Sequence, residues 1–407
     1  MPALNGSVAI TPAKMVMIGV GWFGFQVFWA FHSGPLPLFL RNFTDSKFTI
    51  SLVLSLAGLA GCIVPPVVGY LSDRSATRFG RRRPYVLLGF LGVLLCVLGL
   101  PRATGLAVAA LLSGWMYFSL RVAETPFLSL LPDLTPPEQR STASGVMNLL
   151  GTLGLIGCFI MSSSLWDERP DAVFLLVALV SFGFVLVSIS LIREPEAERA
   201  ERPATSGPAV YLRSIAQESR ALQFFAAQFS YWVGFWMVST FATLFVVEEL
   251  KAPEGESFLV LAVFSVVAAL FMLPLGMLGD RFGRKGILSG YVALWAVSQI
   301  VVGFSQNLTH AIATVGFSAI PFAGVMGVGY AYMLDLVPRN RTAEFVGFSV
   351  ISIAAAQIVG PLIGGKLIDV LGYRSIFPAA AAAMLVGLTI LQLVSPRPST
   401  AREGSGA

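Results

Sequence analysis

Residues 69–84 of this chain read GYLSDRSATRFGRRRP, and residues 276–285 read GMLGDRFGRK. Each stretch carries Gly-x-x-x-Asp-Arg at the end of an apolar run and continues into a basic Gly-Arg cluster. A second pair recurs in the same order, with Asp-Leu-Thr-Pro at 133–136 and Asp-Leu-Val-Pro at 335–338. The copies lie 207 residues apart (69 to 276) and 202 residues apart (133 to 335). Because order and spacing recur together, the sequence predicts a duplicated structural unit.

The composition of the chain indicates a lipid environment. Of its 407 residues, 56% are apolar and only 12% are charged, whereas a soluble protein of this length needs more charge to cover its surface. The net charge of +5 does not predict nucleic-acid binding, because the basic residues stand in short clusters between apolar runs. The cysteines fall inside apolar segments, so neither a disulfide framework nor a metal site is predicted; they are Cys62, Cys96 and Cys158.

Twelve apolar runs are long enough to cross a bilayer core of about 30 Å, which needs about 20 residues per helix. The sequence therefore predicts an all-α membrane protein with twelve transmembrane helices. The predicted spans are 15–40, 49–71, 85–101, 105–132, 141–163, 171–192, 219–247, 257–279, 286–305, 309–335, 344–368 and 372–394.

The basic residues predict the topology. If both termini and the even-numbered loops share one side, that side holds 19 of the 27 Lys and Arg residues, the other side holds 7, and Arg121 lies inside a span. Short loops rich in Lys and Arg stay in the cytoplasm, so both termini are predicted to be cytoplasmic, in a cytoplasmic (inner) membrane. The charged stretch 193–218 predicts a linker between a six-helix bundle at 1–192 and a second bundle with a short tail at 219–407.

The loop at 69–84 resembles the signature loop of the major facilitator superfamily, Gly-x-x-x-Asp-Arg-x-Gly-Arg-[Arg/Lys]. Four additional residues stand between Arg74 and Gly80, and this longer form is similar to that of sucrose transporters and of glycoside–pentoside–hexuronide cation symporters. Residues 125–134, TPFLSLLPDL, followed by Arg140, resemble the same group. The superfamily resemblance covers the whole chain. It implies two pseudo-symmetric six-helix bundles that transport a small solute by alternating access.

Two features depart from these sugar symporters. Sucrose transporters carry an arginine in the fourth span at the position of Leu128, and sodium-coupled melibiose symporters carry acidic residues in the second span, where residues 49–71 have none. The resemblance therefore does not single out sucrose, and no sodium site is expected. The expected coupling ion is a proton, with no other cofactor.

The charged motif residues have two interpretations. They are either topogenic charges that keep the loops inside or a cytoplasmic gate, in which Asp73 pairs with a nearby arginine or faces a helix N-terminus of the other half. A carboxylate at a helix N-terminus is stabilised by up to about 1 kcal/mol, which biases a two-state equilibrium without locking it. The resemblance favours the gate for Asp73, Arg74, Gly80 and Arg81 through Arg83, and the second copy at Asp280, Arg281, Gly283 and Arg284 supports it. Gating and plain structural pairing both stay open for Asp133 with Arg140 and for Asp335 with Arg341.

Arg121 and Glu124 are the most informative pair in the chain. Glu124 precedes Asp133 by nine residues, which places it about 13 Å from the cytoplasmic helix end, near the bilayer midplane. A spacing of three puts both side chains on one helix face. Burying a charge at this depth costs at least about 2.5–3.5 kcal/mol, so such residues usually serve a transport pathway. An ion pair that only fixes packing is the alternative; we predict that Glu124 carries the coupled proton and that Arg121 is its counter-ion or a solute ligand.

Aromatic and amide side chains on several spans predict the solute cavity. Sugars bind through rings stacked on aromatic faces and through fixed polar partners, and transporter sites lie between the halves. Helix packing is the alternative for any single ring, and His32 is either a titrating group or a packing residue. Amides deep in lipid need partners. The predicted cavity residues are Trp22, Gln26, Trp29, His32, Asn148, Gln228, Tyr231, Trp232 and Gln357.

These features predict a proton-coupled symporter of a sugar or glycoside. The sequence has no catalytic constellation and no nucleotide-binding glycine loop, so we expect neither an enzyme nor an ATP-driven pump. An exporter of drugs or lipophilic metabolites, and a carrier-like sensor or pigment-delivery protein without transport, are the alternatives. The expected partners are a small solute and the lipid bilayer, and a monomer is expected.

Overall fold

The computed structural model describes residues 11–75, 77, 79–192, 194, 218–337 and 342–394. Twelve helices in this part of the chain are long and apolar enough to cross a membrane, so the predicted fold class is confirmed. Each helix begins and ends within four residues of its predicted boundary. The helices are α1 (Pro12–Arg41), α2 (Lys47–Arg74), α3 (Arg83–Gly99), α4 (Leu106–Leu134), α5 (Arg140–Leu165), α6 (Pro170–Leu191), α7 (Ser219–Glu249), α8 (Glu254–Phe282), α9 (Arg284–Gly303), α10 (Leu308–Leu336), α11 (Thr342–Leu371) and α12 (Ile376–Leu393).

Two of these helices are interrupted near the same end of the molecule. Helix α1 breaks at Gly34, between Pro12–Ser33 and Pro35–Arg41, because a proline follows and its ring cannot continue the hydrogen-bond ladder. Helix α7 ends in a π-helical turn at Phe245–Glu249. Both irregular segments belong to the first helix of a six-helix unit.

The packing of the helices is duplicated. In the first half, α1 packs on α5 and α6, α4 packs on α2 and α3, and α3 packs on α6. In the second half, α7 packs on α11 and α12, α10 packs on α8 and α9, and α9 packs on α12. Adding six to each helix number converts the first set into the second. The protein therefore consists of two pseudo-symmetric six-helix bundles.

The two turns that carry the duplicated motif also share their backbone conformation. Gly80 has a φ of 104° and Gly283 a φ of 93°, a left-handed region that side chains with a Cβ rarely adopt. A glycine at each of these positions lets the chain turn directly into α3 and α9. We call the end of the molecule that carries these turns the motif side, and the opposite end the far side.

The two halves meet through α2 with α11 and α5 with α8. Between α2 and α11, contact runs from Lys47 and Gly365 on the far side to Gly61 and Ala354 near the middle of both helices. On the far side, Gly255 of α8 lies against the end of α5. The far side is therefore closed, and its closure reaches the level of α4 that carries Arg121.

The linker prediction lies mostly outside the described residues, because 193 and 195–217 are not described. Glu194 is described: its carboxylate accepts hydrogen bonds from the backbone N–H groups of Arg81, Arg82 and Arg83 at 2.8–3.0 Å. These N–H groups immediately precede or begin α3, so no helical carbonyl can satisfy them. Glu194 is thus fixed on the motif turn of its own half. The boundaries at 1–192 and 219–407 stay a prediction.

Candidate functional site between the halves

An ion pair inside α4 forms the centre of the candidate site. Arg121 Nη1 donates to Glu124 Oε2 at 2.6 Å, and Glu124 is only 6% exposed. The pair lies on one face of the helix, as their spacing of three residues predicts. A buried ion pair is held mainly by short, directed hydrogen bonds, because its desolvation cost offsets much of the Coulomb attraction.

Trp29 of α1 completes the surroundings of this pair. Its indole Nε1 donates to Glu124 Oε1 at 3.0 Å, and the guanidinium carbon of Arg121 lies 4.9 Å from the centre of its ring. Each oxygen of the carboxylate therefore receives one hydrogen bond, and the cation also lies over an aromatic face, which attracts it. Trp29 thereby links α1 to α4.

A second buried polar contact lies between Trp29 and the far side. His32 Nδ1 and the hydroxyl of Tyr117 are 2.6 Å apart, and the ring of Trp29 stands edge-on to the ring of His32 at 5.4 Å. His32 is buried. The imidazole is therefore held by packing and by a hydrogen bond, and it contacts the Arg121–Glu124 site through Trp29.

The ion pair lies where the two halves meet. A Cβ on Gly61 of α2 would lie 3.1 Å from Arg121 Nη2 and 3.3 Å from the Cβ of Ala354 on α11. Gly61 thus lies between the guanidinium and the other half. A movement of α11 relative to α2 would be transmitted to Arg121.

The other cavity residues predicted in the first half have different surroundings. Trp22 stacks on Phe127 at 6.4 Å, and its Nε1 is buried with no hydrogen-bond partner in the described part of the chain. A Cβ on Gly151 of α5 would collide with Trp22 and would lie 3.0 Å from Gln26 Cγ, so both side chains pack between α1 and α5.

Asn148 is exposed, and its Nδ2 donates to Ser144 Oγ at 3.3 Å. It precedes Ser163 by fifteen residues, or roughly four turns, which puts both on about the same face of α5. The carbonyl of Ser163 faces Gly255 of α8. Asn148 therefore lies on the side of α5 that faces the second half.

The predicted cavity residues of the second half are buried in its interior. Gln228 Oε1 accepts from Ser349 Oγ of α11 at 2.9 Å. Tyr231 and Trp232 pack beside Trp295, with ring centres 6.4 Å apart in each pair, and Tyr231 is only 1% exposed. These predicted cavity residues are therefore packed inside the second bundle.

Gln357 of α11 is also buried, but its Nε2 has no hydrogen-bond partner among the described residues. It lies less than one turn from Ala354, which contacts α2. An unpaired buried amide costs about 1–3 kcal/mol. Gln357 is therefore a candidate for a group that gains a partner when solute binds or the halves move.

The contacts align the two halves residue by residue. A Cβ on Gly154 would meet the carbonyl of Phe23, and a Cβ on Gly360 would meet the carbonyl of Val233, so α1 and α7 correspond with an offset of 210 residues. Trp29 then corresponds to Ser239. With the offset of 202 residues seen at Asp133 and Asp335, the positions of Arg121 and Glu124 are taken by Ala323 and Met326. The ion pair therefore has no copy in the second half.

The predicted gate residues form two matching clusters on the motif side. In the first, Arg82 contacts Asp73 at 3.1 Å and Asp133 at 2.6 Å, and Arg81 contacts Asp133 at 2.7 Å. In the second, Arg284 contacts both Asp280 and Asp335 at 2.7 Å. All of these ion pairs lie within one half, and each cluster joins three helices. Arg82 belongs to the run from Arg81 to Arg83 that the sequence assigns to the gate, and it is the residue that joins Asp73 to Asp133.

Among the described residues, three other predicted gate residues form no ion pair with these carboxylates, and a fourth lies outside the described part. Arg140 donates to the carbonyls of Thr135 and Pro132 at 3.3 Å instead of to Asp133. Arg74 lies over the ring of Tyr70 at 3.6 Å, and Arg281 lies beside Phe282. Arg341 lies outside the described residues.

A polar network that sequence reasoning missed closes the far side. Arg41 of the first half pairs with Glu254 of the second, and Trp166 Nε1 donates to Glu254 Oε2 at 2.8 Å. Lys47 pairs with Glu248 at 2.9 Å. The first half contributes the cations and the second half the carboxylates, so charge complementarity joins them. The sequence does contain a signal for these pairs, because Arg41 and Lys47 flank α1 and α2 while Glu248 and Glu254 flank α7 and α8.

The far-side network also caps a helix. Asp369 of α11 accepts from Ser46 Oγ at 2.7 Å and from the backbone N–H groups of Lys47 and Phe48 at 2.7 and 3.1 Å. These N–H groups begin α2 and have no helical partner. A carboxylate of the second half thereby satisfies the first turn of a helix in the first half.

The described residues contain no group of three or more His, Cys, Asp or Glu that could hold a metal ion. What the site offers chemically is one ionisable pair, a tryptophan face and several amides and indoles.

The comparisons with known proteins agree with this description. A sequence model of the Major Facilitator Superfamily matches residues 16–225 and, again, residues 224–407.

The chain belongs to the Major Facilitator Superfamily. Its curated relatives include the inner membrane transport protein YajR of Escherichia coli, 30% identical over 175 residues that cover 41% of this chain and 37% of YajR. Solute carrier family 45 member 3 of Macaca fascicularis is 25% identical over 397 residues, covering 81% and 71%. Sucrose transport protein SUC3 of Arabidopsis thaliana is 26% identical over 168 residues, covering 36% and 28%. The chain thus spans less than half the length of YajR and of SUC3.

Solved structures of this superfamily have the same fold. The nucleoside transporter NupG superposes with a TM-score of 0.76 at 13% identity, covering 94% of this chain and 99% of NupG. Members of the superfamily are transporters and not enzymes. The chain is accordingly a multi-pass membrane protein that belongs to a superfamily of transporters.

Proposed function

We propose that this major facilitator protein transports a sugar or glycoside by proton-coupled symport and alternating access. The observation that carries the proposal is the burial of Glu124 between Arg121 and Trp29, where the two halves meet. A carboxylate there can exchange its proton with only one membrane side at a time, because closure of either side shields it.

The cycle follows from the two ends of the molecule. In the present conformation the far-side network joins the halves, and we propose that the motif side faces the cytoplasm with both termini. To release solute to the far side or load it there, the Arg41–Glu254 and Lys47–Glu248 pairs must open. The motif clusters on Arg82 and Arg284 hold the helix ends of each half together while the halves move. We propose that contacts between these clusters across the halves form the cytoplasmic gate when the far side is open.

The solute class is supported by the groups around the ion pair. Trp29 offers an aromatic face and an N–H donor, Arg121 offers further donors, and Asn148 and Gln357 offer amides. This set suits the ring and the hydroxyl groups of a carbohydrate. One relative, SUC3, is named a sucrose transport protein. The sugar portion of the proposal rests on these two observations.

Uptake into proteoliposomes with an imposed pH gradient tests the proposal. A panel of labelled sugars and glycosides should include one that accumulates above its external concentration when the acid side is outside, and accumulation should stop when a protonophore removes the gradient. Export of lipophilic dyes with no accumulation of any sugar would favour the drug or metabolite exporter. Absence of any solute flux, with specific solute binding, would favour the non-transporting sensor.

A further inference from the structure

We infer that Trp29 is the positioning residue that couples solute binding to protonation of Glu124; the inference rests on the function proposed above. Trp29 differs from the other tryptophans of the candidate site because its indole N–H and the face of its ring both already have a partner. Its N–H donates to Glu124 Oε1 at 3.0 Å, and its ring carries the guanidinium of Arg121 at 4.9 Å.

A carbohydrate would need these same surfaces. Stacking on the ring displaces Arg121, and a solute hydroxyl that accepts from Nε1 removes the hydrogen bond to Glu124. A hydrogen bond to the ionised form of a carboxyl group favours that form, so its loss favours protonation. The carboxylate then takes a proton from hydronium, giving the carboxylic acid and water, while Arg121 keeps its charge and becomes free to bind the solute.

The surroundings leave few other groups to perform this coupling. The segments 15–40, 48–72, 84–101 and 345–365, from α1, α2, α3 and α11, contain no Lys, Arg, Asp or Glu. The titratable groups near the ion pair are His32 on α1, Tyr117 on α4 and Cys62 on α2. His32 and Tyr117 are bonded to each other. Trp29 is therefore the neutral donor through which a solute can act on Glu124.

The first test needs no solute. The thermal unfolding midpoint of the purified full chain is measured from pH 4 to pH 8, and the titration of Glu124 is the inflection that Glu124→Gln removes. Trp29→Phe keeps an aromatic ring but lacks the N–H, so this inflection should move to higher pH by about one unit, which corresponds to a tenfold change in proton affinity. Trp295→Phe is the matched control, because the indole N–H of Trp295 is buried without a partner in the described structure.

An inflection at the same pH in wild type and Trp29→Phe would overturn the inference, as would an equal movement in Trp295→Phe. If wild type shows no inflection that Glu124→Gln removes, the inference and the proposed proton coupling both fail. A movement specific to Trp29→Phe supports the linkage even when no sugar of the panel is transported, in which case only the sugar proposal fails.

The second test measures coupling in proteoliposomes with the panel sugar that wild type accumulates. Solute-induced proton uptake is followed with an entrapped pH dye, and counterflow exchange is measured in parallel. Trp29→Phe removes the N–H from which the solute would accept, so counterflow should fall, and the proton uptake per solute translocated should fall by at least about tenfold in addition, while Trp295→Phe keeps both; the tenfold loss corresponds to about 1.4 kcal/mol of coupling. Equal losses of counterflow and proton uptake in Trp29→Phe would indicate a purely structural role and would overturn the inference.

Discussion

Gly61 of α2 and Arg121 of α4 are packed so closely that a Cβ at position 61 would lie 3.1 Å from the guanidinium Nη2. On its other side, the same Cβ would lie 3.3 Å from the Cβ of Ala354 in the second half. Only the space that a Cβ at position 61 would fill therefore separates the guanidinium of Arg121 from Ala354 of the second half. This contact is the structural basis for expecting that proton binding and the movement of the halves influence each other.

Gly58 provides the sharper test of the seam between α2 and α11. A Cβ there would lie 2.6 Å from the backbone carbonyl of Ala354, too close for either atom to remain in place. Gly58→Ala should therefore destabilise the closed far side by about 1–3 kcal/mol, the usual cost of overpacking. Pulsed electron paramagnetic resonance between spin labels at Asn42 and Lys251 should show a larger fraction of molecules with long far-side distances.

Gly157→Ala is the control for this variant, because a Cβ at that position of α5 meets nothing within 4 Å. It should leave the distance distribution unchanged. A Gly58→Ala protein with the wild-type distribution would show that α2 and α11 do not form the seam of the closed state.

Glu254 should hold the far side closed. Glu254→Gln removes the charge that binds Arg41 and weakens the acceptor of Trp166, and hydrogen bonds to charged groups contribute about 1.5–3 kcal/mol. The same spin-label pair should report a shift toward the open far side. Glu256→Gln is a matched control two residues along α8, where the side chain is exposed. Equal shifts in both variants would indicate a general charge effect and not a specific lock.

The two motif clusters should contribute unequally to stability. Arg82 is 4% exposed in its cluster, whereas the side chain of Arg284 is 32% exposed. Removing a buried partner leaves carboxylates uncompensated, while exposed pairs contribute only about 0.2–1 kcal/mol. Arg82→Gln should therefore lower the thermal unfolding midpoint more than Arg284→Gln. The reverse order in a scan of the purified protein would contradict the burial argument.

The number of coupled protons should be one per solute. More than one turn from either end of the described spans, Glu124 is the one carboxylate, and the aligned positions in the second half hold Ala323 and Met326. For a neutral solute coupled to one proton, each increase of about 59 mV in proton-motive force should raise the steady-state accumulation ratio tenfold. Steady-state accumulation measured over a series of imposed potentials gives this slope. A tenfold rise for every 30 mV or so would require a second coupled proton.

The sequence alone was sufficient to predict the fold because lipid imposes length and composition on each span. Twelve apolar runs, a charged break after residue 192 and two pairs of repeated motifs were each visible without coordinates. The i, i+3 spacing likewise predicted the Arg121–Glu124 pair, since both residues belong to one helix.

Hydropathy, motif repeats and residue spacing do not predict which side chains meet between helices that are distant in sequence. Hydropathy does not distinguish a tryptophan that binds a carboxylate, such as Trp29, from one packed in a bundle, such as Trp232. The partners of Asp133 were also different from the expected one, because Arg81 and Arg82 come from the preceding loop while Arg140 folds back onto helix carbonyls. The Asp369 contacts depend on α11 meeting α2, which no local pattern indicates.

Proton-driven accumulation by Glu124→Gln is the most direct test of the central claim, that an acid buried at the junction of the two halves carries the coupled proton. In proteoliposomes, the variant should exchange labelled solute by counterflow as wild type does but should fail to concentrate it when a pH gradient is imposed. If Glu124→Gln still concentrates solute under the gradient, the claim is contradicted.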